Sequence, residues 1–267
     1  MTELTHLFDS FDGTLWLGLG TVSFVAWFFS MLAGGGSPLL LIPALTLAIG
    51  AAGVAPTLTT GLLVGNGQRS LFFWEHIDWQ VTAWYVPGSI GGALFGAYAF
   101  TQFRAEWLQV FLGGALLIMV LDHCLQGWWQ QSSTRFTIRA WHFLPAAFLN
   151  AVGSGLIGST GPVMNPMYLA YGLEKEAMIA TKSLNKTFLH VVKLASYGVL
   201  GAIDGSMLGY GLLIGIAAIP ANWLGKWVLA RMSSQQFRQV VFAFVAFSGV
   251  LMIWEQRDWL GFAVGGI

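Results

Sequence analysis

The sequence predicts an all-α, polytopic helical membrane protein of about eight spans, and its composition supports this fold class. Hydrophobic residues make up 56% of the 267 residues, whereas charged residues make up only 9%. An ordinary soluble domain carries about 25% charged residues. The mean hydropathy of +0.68 points the same way. These values argue against a water-soluble enzyme and a disordered protein, and the formal net charge of zero argues against a nucleic-acid binder.

Apolar segments occur in two series along the chain. The first series covers residues 14–33, 38–52, 54–74, 80–101 and 106–122, and the second covers 142–158, 163–173, 177–200, 206–229 and 236–254. Because the second series follows the plan of the first, we interpret the chain as two internal repeats of about 120 residues.

The repeats define the predicted organisation of the chain. It consists of an N-terminal tail (1–13), a first transmembrane repeat (14–122), a polar linker (123–141), a second transmembrane repeat (142–254) and a C-terminal tail (255–267). A cleaved signal peptide is not expected, because the N-terminal tail carries acids where a signal peptide has basic residues.

The second segment of each repeat is short and follows a break rich in glycine. Such interrupted segments, at corresponding places in two halves, are the best sequence pointer to the binding site of a transporter. A broken helix presents backbone N–H groups and a partial positive charge, which suit an anion. The alternative is that these glycines only allow close helix packing. Candidate substrate-binding residues at the two breaks are Gly35, Gly36, Ser37, Ser159, Thr160, Gly161 and Asn165.

Basic residues form a stripe on the segment 177–200. Lys182, Lys186, His190 and Lys193 recur at spacings of four, four and three, so they share one helical face. A charge deep in a membrane costs about 2.5–3.5 kcal/mol on insertion scales. No acid lies in this segment to offset that cost, so the pattern predicts that an anionic substrate binds there. Neighbouring Asn185, and Asn66 and Arg69 at the counterpart position of the first repeat, complete the candidate set.

Other interpretations of these polar residues stay open at the sequence level. Lys182 and Lys193 could reach the interface with their long side chains. His190 could be a substrate ligand, a protonation switch or a satisfied core histidine. The hydroxyl and amide groups could bind substrate oxygens or satisfy the backbone of the broken helices.

Three stretches of the chain resemble a known family. They are AWFFSMLAGGGSPLLLIPAL (26–45), GSGLIGSTGPVMNPMYLAYG (153–172) and IDWQ (77–80). Together with the duplicated plan they resemble the TauE/SafE sulfite exporter family, over residues 20–254. The resemblance implies a transporter of sulfite, sulfoacetate and related sulfonates across the bacterial cytoplasmic membrane. The second break reads Ser-Thr-Gly where the first reads Gly-Gly-Gly, which departs from a strict repeat.

The sequence therefore predicts a multi-pass exporter of small sulfur-containing anions in the bacterial inner membrane, working by alternating access between the two broken helices. An anion channel with the same basic lining is the alternative. An enzyme is not expected, since Asp122-His123-Cys124 is the nearest catalytic candidate and stands at a span end. No cofactor or metal is expected. The expected partners are a small anionic substrate and the lipid bilayer, with a homodimer left open and nucleic acid excluded.

Overall fold

The computed structural model describes residues 13–100, 114, 117–118, 120–121, 137–157, 160, 162–199, 201 and 203–255, and their regular structure is helical throughout. The helices are α1 (Gly13–Leu32), α2 (Pro38–Ile49), α3 (Ala51–Phe72), α4 (Trp79–Phe100), α5 (Phe143–Ile157), α6 (Asn165–Tyr171), α7 (Lys175–Val199), α8 (Gly205–Leu229) and α9 (Ser234–Glu255). Short 3₁₀ helices cover Trp74–His76 and Ala140–His142. The predicted all-α class is confirmed, and each of these nine helices begins and ends within a few residues of a predicted apolar segment.

Three of the described helices are long and apolar enough to cross a membrane. They are α1, α8 and the part of α9 from Ser234 to Trp254. Helices α3, α4 and α7 have comparable lengths of 22, 22 and 25 residues, and α3 and α7 carry more polar side chains than α1. The expected total of about eight spans stays a prediction.

The two short helices lie where the sequence predicts interrupted segments. Helix α2 has 12 residues and begins with Pro38, and α6 has 7 residues with a proline in its first turn. Proline is tolerated there because the first N–H groups of a helix have no intrahelical acceptor. Both helices end at a glycine with positive φ, Gly50 at 76° and Gly172 at 106°.

The chain forms two compact units, and the first consists of the described parts of Met1–Ile77 and Ile179–Arg231. Within it, α8 packs against both α1 and α3, and α2 packs against the same two helices. Large apolar side chains from all four helices form the core, among them Trp27, Leu41, Leu58 and Ile214.

Glycines at four-residue spacing bring α3 and α8 close together. A Cβ at Gly61 would lie 2.5 Å from Cγ2 of Ile214, and a Cβ at Gly215 would lie 2.7 Å from Cβ of Val64. A Cβ at Gly211 would lie 2.5 Å from Cβ of Thr60. Small residues permit such close contact between helices in a membrane. This is the alternative role that the sequence offered for the glycines.

Helix α8 begins with an N-cap outside the apolar part of the helix. Asp204 Oδ1 accepts hydrogen bonds from the Ser206 hydroxyl at 2.6 Å and from the Met207 N–H at 2.8 Å. These two hydrogen bonds hold the pKa of Asp204 below its usual value. The Ile77-Asp78-Trp79 turn of the first repeat contains a corresponding cap, since Asp78 Oδ1 accepts a hydrogen bond from the N–H of Val81 at the start of α4.

The second unit consists of the described parts of Asp78–Met178 and Met232–Ile267. Its main contact is between α4 and α5, where Gly88 and Gly92 lie directly against the carbonyl groups of Leu144 and Phe148. Arg238 of α9 forms an ion pair of 3.0 Å with Glu174, which lies between α6 and α7.

Each compact unit therefore draws on both halves of the sequence. The predicted repeats are defined by sequence similarity between residues 14–122 and 142–254, whereas the compact units are defined by packing. The boundaries of the units therefore do not test the repeats, which stay a prediction. Most of the predicted segment 106–122, the linker and both tails lie outside the described residues.

Candidate functional site

The predicted basic stripe lies on α7, in the part of this helix that belongs to the first unit. Lys182, His190 and Lys193 are buried, at 5%, 4% and 8% exposure, and Lys186 is half-buried. The helical period places all four side chains on one face, as predicted.

The members of the stripe lie within electrostatic reach of one another. Lys182 interacts with the charges of Lys186 and Arg69, and His190 interacts with those of Lys186 and Lys193. The sequence contains no acidic residue from 177 to 203. The stripe and Arg69 thus form a group of basic residues, called the basic cluster below and consisting of Arg69, Lys182, Lys186, His190 and Lys193.

Lys182 contacts the first glycine-rich break. Its Nζ donates a hydrogen bond of 2.6 Å to the carbonyl oxygen of Gly34. Gly34, Gly35 and Gly36 have φ values of 67°, 126° and 108°, which L-residues with a side chain rarely adopt. Two groups predicted from separate repeats, the break and the stripe, therefore meet within the first unit.

Arg69 is 2% exposed and lies in a network of neutral acceptors. Its Nε donates to Asn222 Oδ1 at 2.7 Å, one terminal nitrogen donates to Ser30 Oγ at 3.1 Å, and the other donates to the Trp27 carbonyl at 2.8 Å. The guanidinium carbon also lies 4.7 Å from the centroid of the Trp27 ring. These contacts occupy three of the five donors of Arg69 and connect α3 with α1 and α8.

The sequence reading missed the partners of Arg69. Asn222 is the single amide side chain in the apolar helix α8, and this isolation is the signal that could have identified it. Its Nδ2 donates to Gln68 Oε1 at 2.9 Å and to the Gly65 carbonyl at 3.2 Å. Trp27 and Ser30 carry no comparable signal, because their role depends on a carbonyl group and on helix packing.

Several of the small polar residues bind their own backbone. Asn66 Nδ2 donates to the Leu62 carbonyl at 2.8 Å, so this amide is directed along α3 and makes no hydrogen bond to Arg69. Ser37 is buried at the N-terminus of α2, where its side chain forms no capping hydrogen bond, while its carbonyl accepts from Leu40 and Leu41. Asn185 is fully buried beside the stripe.

The second break belongs to the second unit. Thr160 Oγ1 donates to the Asn150 carbonyl at 3.3 Å, and the Asn165 N–H donates to the Pro162 carbonyl at 2.8 Å. The contact of Thr160 is of the kind in which a hydroxyl satisfies the backbone of a broken helix. Ser159 and Gly161 lie outside the described residues, as do Asp122, His123 and Cys124.

One buried polar atom of the basic cluster lacks a partner. His190 Nδ1 has no hydrogen bond to any described residue, although the ring is 4% exposed. Lys186 likewise makes no hydrogen bond or ion pair with the part of the chain that the structure describes. A buried nitrogen such as His190 Nδ1 is costly unless a ligand or water satisfies it.

Comparison with known proteins identifies a family whose model matches most of the chain. The family model described as sulfite exporter TauE/SafE matches residues 19–252. No curated protein and no solved structure matches the chain significantly.

Proposed function

Because the chain belongs to the sulfite exporter TauE/SafE family, we propose that it exports small sulfur-containing anions, such as sulfite, sulfoacetate or other organosulfonates, from bacteria. The family makes it a multi-pass membrane transporter. We assign no catalytic residue, since moving an anion across a membrane requires no bond to be made or broken.

The observation that carries the proposal is that the helical stretches of the first unit hold buried cations but contain no carboxylates. The sequence has no acidic residue in 13–74, in 177–203 or in 205–229. These three stretches contain the helices of the first unit, which are α1, α2, α3, α8 and the part of α7 from Ile179 onward. The same stretches contain the whole basic cluster. Buried like charges repel one another strongly where the dielectric constant is low, and a bound anion relieves that repulsion.

The residues of the basic cluster take different parts in the proposed site. Lys186 is the primary ligand, because its ammonium makes no hydrogen bond or ion pair with the described residues. Lys182 and Lys193 add charge on the same face, and His190 offers a ring nitrogen to an anion oxygen. Arg69 contributes positive potential, since most of its donors are held by Asn222, Ser30 and Trp27.

The membrane potential alone favours export of an anion. A potential that is negative inside contributes about 2.3 kcal/mol per charge for each 100 mV. No coupling ion is needed for net efflux on this basis. Alternating access is the transport mechanism that we propose, as in other carriers with interrupted helices.

The test is anion flux through Lys186→Met in proteoliposomes. Loss of a charge-assisted hydrogen bond should reduce sulfite affinity about 10- to 100-fold, measured as a higher half-saturating concentration for efflux. Lys226→Met is the matched control, because Lys226 lies on α8 and its ammonium stacks 5.0 Å from the Phe72 ring, outside the basic cluster. Equal kinetics for the wild type and Lys186→Met would remove Lys186 from the site.

The same vesicles separate a carrier from a channel. A carrier gives flux that saturates with anion concentration and rises steeply with temperature. Single-channel currents in a planar bilayer would contradict alternating access and support the channel alternative.

A further inference from the structure

We propose that Lys182 links the bound anion to the first glycine-rich break, and that Gly35 is a positioning residue for its ammonium group. This inference rests on the proposed function, because it concerns the same basic cluster. It adds a physical connection between the site and the backbone that joins α1 to α2.

The ammonium of Lys182 lies between the first glycine-rich break and the proposed anion site. An ammonium has three N–H donors and no acceptor, and the Gly34 carbonyl takes one donor at 2.6 Å. Lys186, the primary ligand of the proposed site, lies four residues after Lys182 on the same face of α7. An anion bound by Lys186 therefore attracts the Lys182 ammonium, which also donates a hydrogen bond to the Gly34 carbonyl.

The backbone at Gly34 is the end of one helix and the approach to the next. Helix α1 ends at Leu32, and the N–H of Gly35 donates to the Ser30 carbonyl at 2.7 Å. A cation at the carbonyl end of a helix is favourable because that end carries partial negative charge. Movement of the Lys182 ammonium toward an anion weakens this cap, so occupancy of the site changes the stability of the break.

Gly35 determines where the ammonium can lie. A Cβ at this position would be 2.5 Å from Nζ and 3.3 Å from Cε of Lys182. Any side chain at position 35 therefore displaces the ammonium from the Gly34 carbonyl. The glycine is needed here for the space that it leaves as well as for its φ of 126°.

A double-mutant cycle tests the link, with sulfite as the probe. The dissociation constant is obtained from the rise in melting temperature with sulfite concentration, for the wild type, Gly35→Ala, Lys182→Met and the double variant. Gly35→Ala should raise the constant about tenfold in the wild-type background and leave it nearly unchanged in the Lys182→Met background. A purely structural effect of the alanine would appear in both backgrounds.

Gly50→Ala is the control for backbone strain. Gly50 also has a positive φ, of 76°, but a Cβ there would meet nothing within 4 Å. It should lower the melting temperature without changing the dissociation constant for sulfite.

The outcomes distinguish failure of the proposed function from failure of the role of Gly35. If sulfite, sulfoacetate and other organosulfonates all fail to stabilise the wild type, the proposed function and the inference both fail. If the wild type is stabilised and Gly35→Ala acts equally in both backgrounds, the role of Gly35 through Lys182 is overturned while the proposed function stands.

Discussion

Two buried cations of the first unit, Arg69 and Lys182, donate hydrogen bonds near the C-terminal end of α1. Arg69 donates to the Trp27 carbonyl and to the Ser30 hydroxyl, and Lys182 donates to the Gly34 carbonyl just beyond the helix. Positive groups thereby contact the last two turns of α1 and the residues just beyond it, where the helix dipole favours them. At the scale of single residues, Arg69 acts mainly on the structure, whereas Lys186 is the ligand that we propose for the anion.

Replacement of Arg69 should therefore affect stability more than anion binding. Arg69→Gln leaves acceptors on Asn222, Ser30 and Trp27 without their donors, at about 1–3 kcal/mol for each buried group. Arg69→Lys keeps the charge but cannot reach three acceptors in a planar fork. Both variants should melt at lower temperature than the wild type, and Arg69→Lys should retain most of the affinity for sulfite.

The opposite pattern would change the role of Arg69. If Arg69→Lys melts like the wild type but no longer binds sulfite, the guanidinium is a direct ligand and the network around it is secondary. Asn222→Ala provides an independent control, because it removes the Nε acceptor without removing the charge.

At the scale of elements, polar and small residues give the helices different tasks. Helix α7 carries four of the five residues of the basic cluster on one face, whereas α3 and α8 use glycines at four-residue spacing to pack closely. Trp27 of α1 fills the space left by Gly65, with its ring directly against that glycine. This contact positions the carbonyl that Arg69 binds.

The packing role of Gly65 can be separated from its effect on helix propensity. Gly65→Ala would place a Cβ inside the Trp27 ring, and overpacking of this kind costs about 1–3 kcal/mol. Gly67→Ala is the matched control in the same helix, since its Cβ would meet nothing within 4 Å and alanine favours helix by up to about 1 kcal/mol. Melting in detergent should show a loss for position 65 and none for position 67.

Equal melting temperatures for these two variants would mean that Trp27 moves aside at little cost. The contact of the Trp27 ring with Gly65 would then not be what places the Trp27 carbonyl.

At the scale of the whole molecule, a net charge of zero conceals a separation of charge along the chain. The helical stretches of the first unit contain cations and no carboxylates, and Glu75 and Asp204 lie in the connections between helices. A membrane protein with such a distribution presents a favourable environment for an anion within its helices.

Transport by this protein should respond to the membrane potential. In proteoliposomes loaded with sulfite, 100 mV negative inside adds about 2.3 kcal/mol per charge to the driving force for efflux, so efflux should accelerate. The potential is set with a potassium gradient and an ionophore, and vesicles without the protein give the background efflux. Efflux that is indifferent to the potential would indicate electroneutral transport coupled to another ion.

Much of the fold follows from the sequence because hydrophobic periodicity and glycine or proline breaks are local signals. The bounds of α1 to α9, the short helices α2 and α6, and the single basic face of α7 are all visible in the chain itself. The IDWQ and Ile203-Asp204-Gly205 turns are local in the same way, since each aspartate caps the helix that follows it.

The partners of the buried cations are not local, and only the tertiary structure decides them. Arg69 and Lys182 were both predicted as ligands of an anion because no acid lies near them in sequence. Their acceptors come from residues 39 to 153 positions away along the chain, and most are carbonyl groups or small side chains that every helix contains. The sequence by itself determined that this protein carries buried positive charge in its helices. Packing decided which of those charges the protein satisfies with its own groups, because that depends on which carbonyl, amide and hydroxyl groups the folded chain brings within hydrogen-bonding distance.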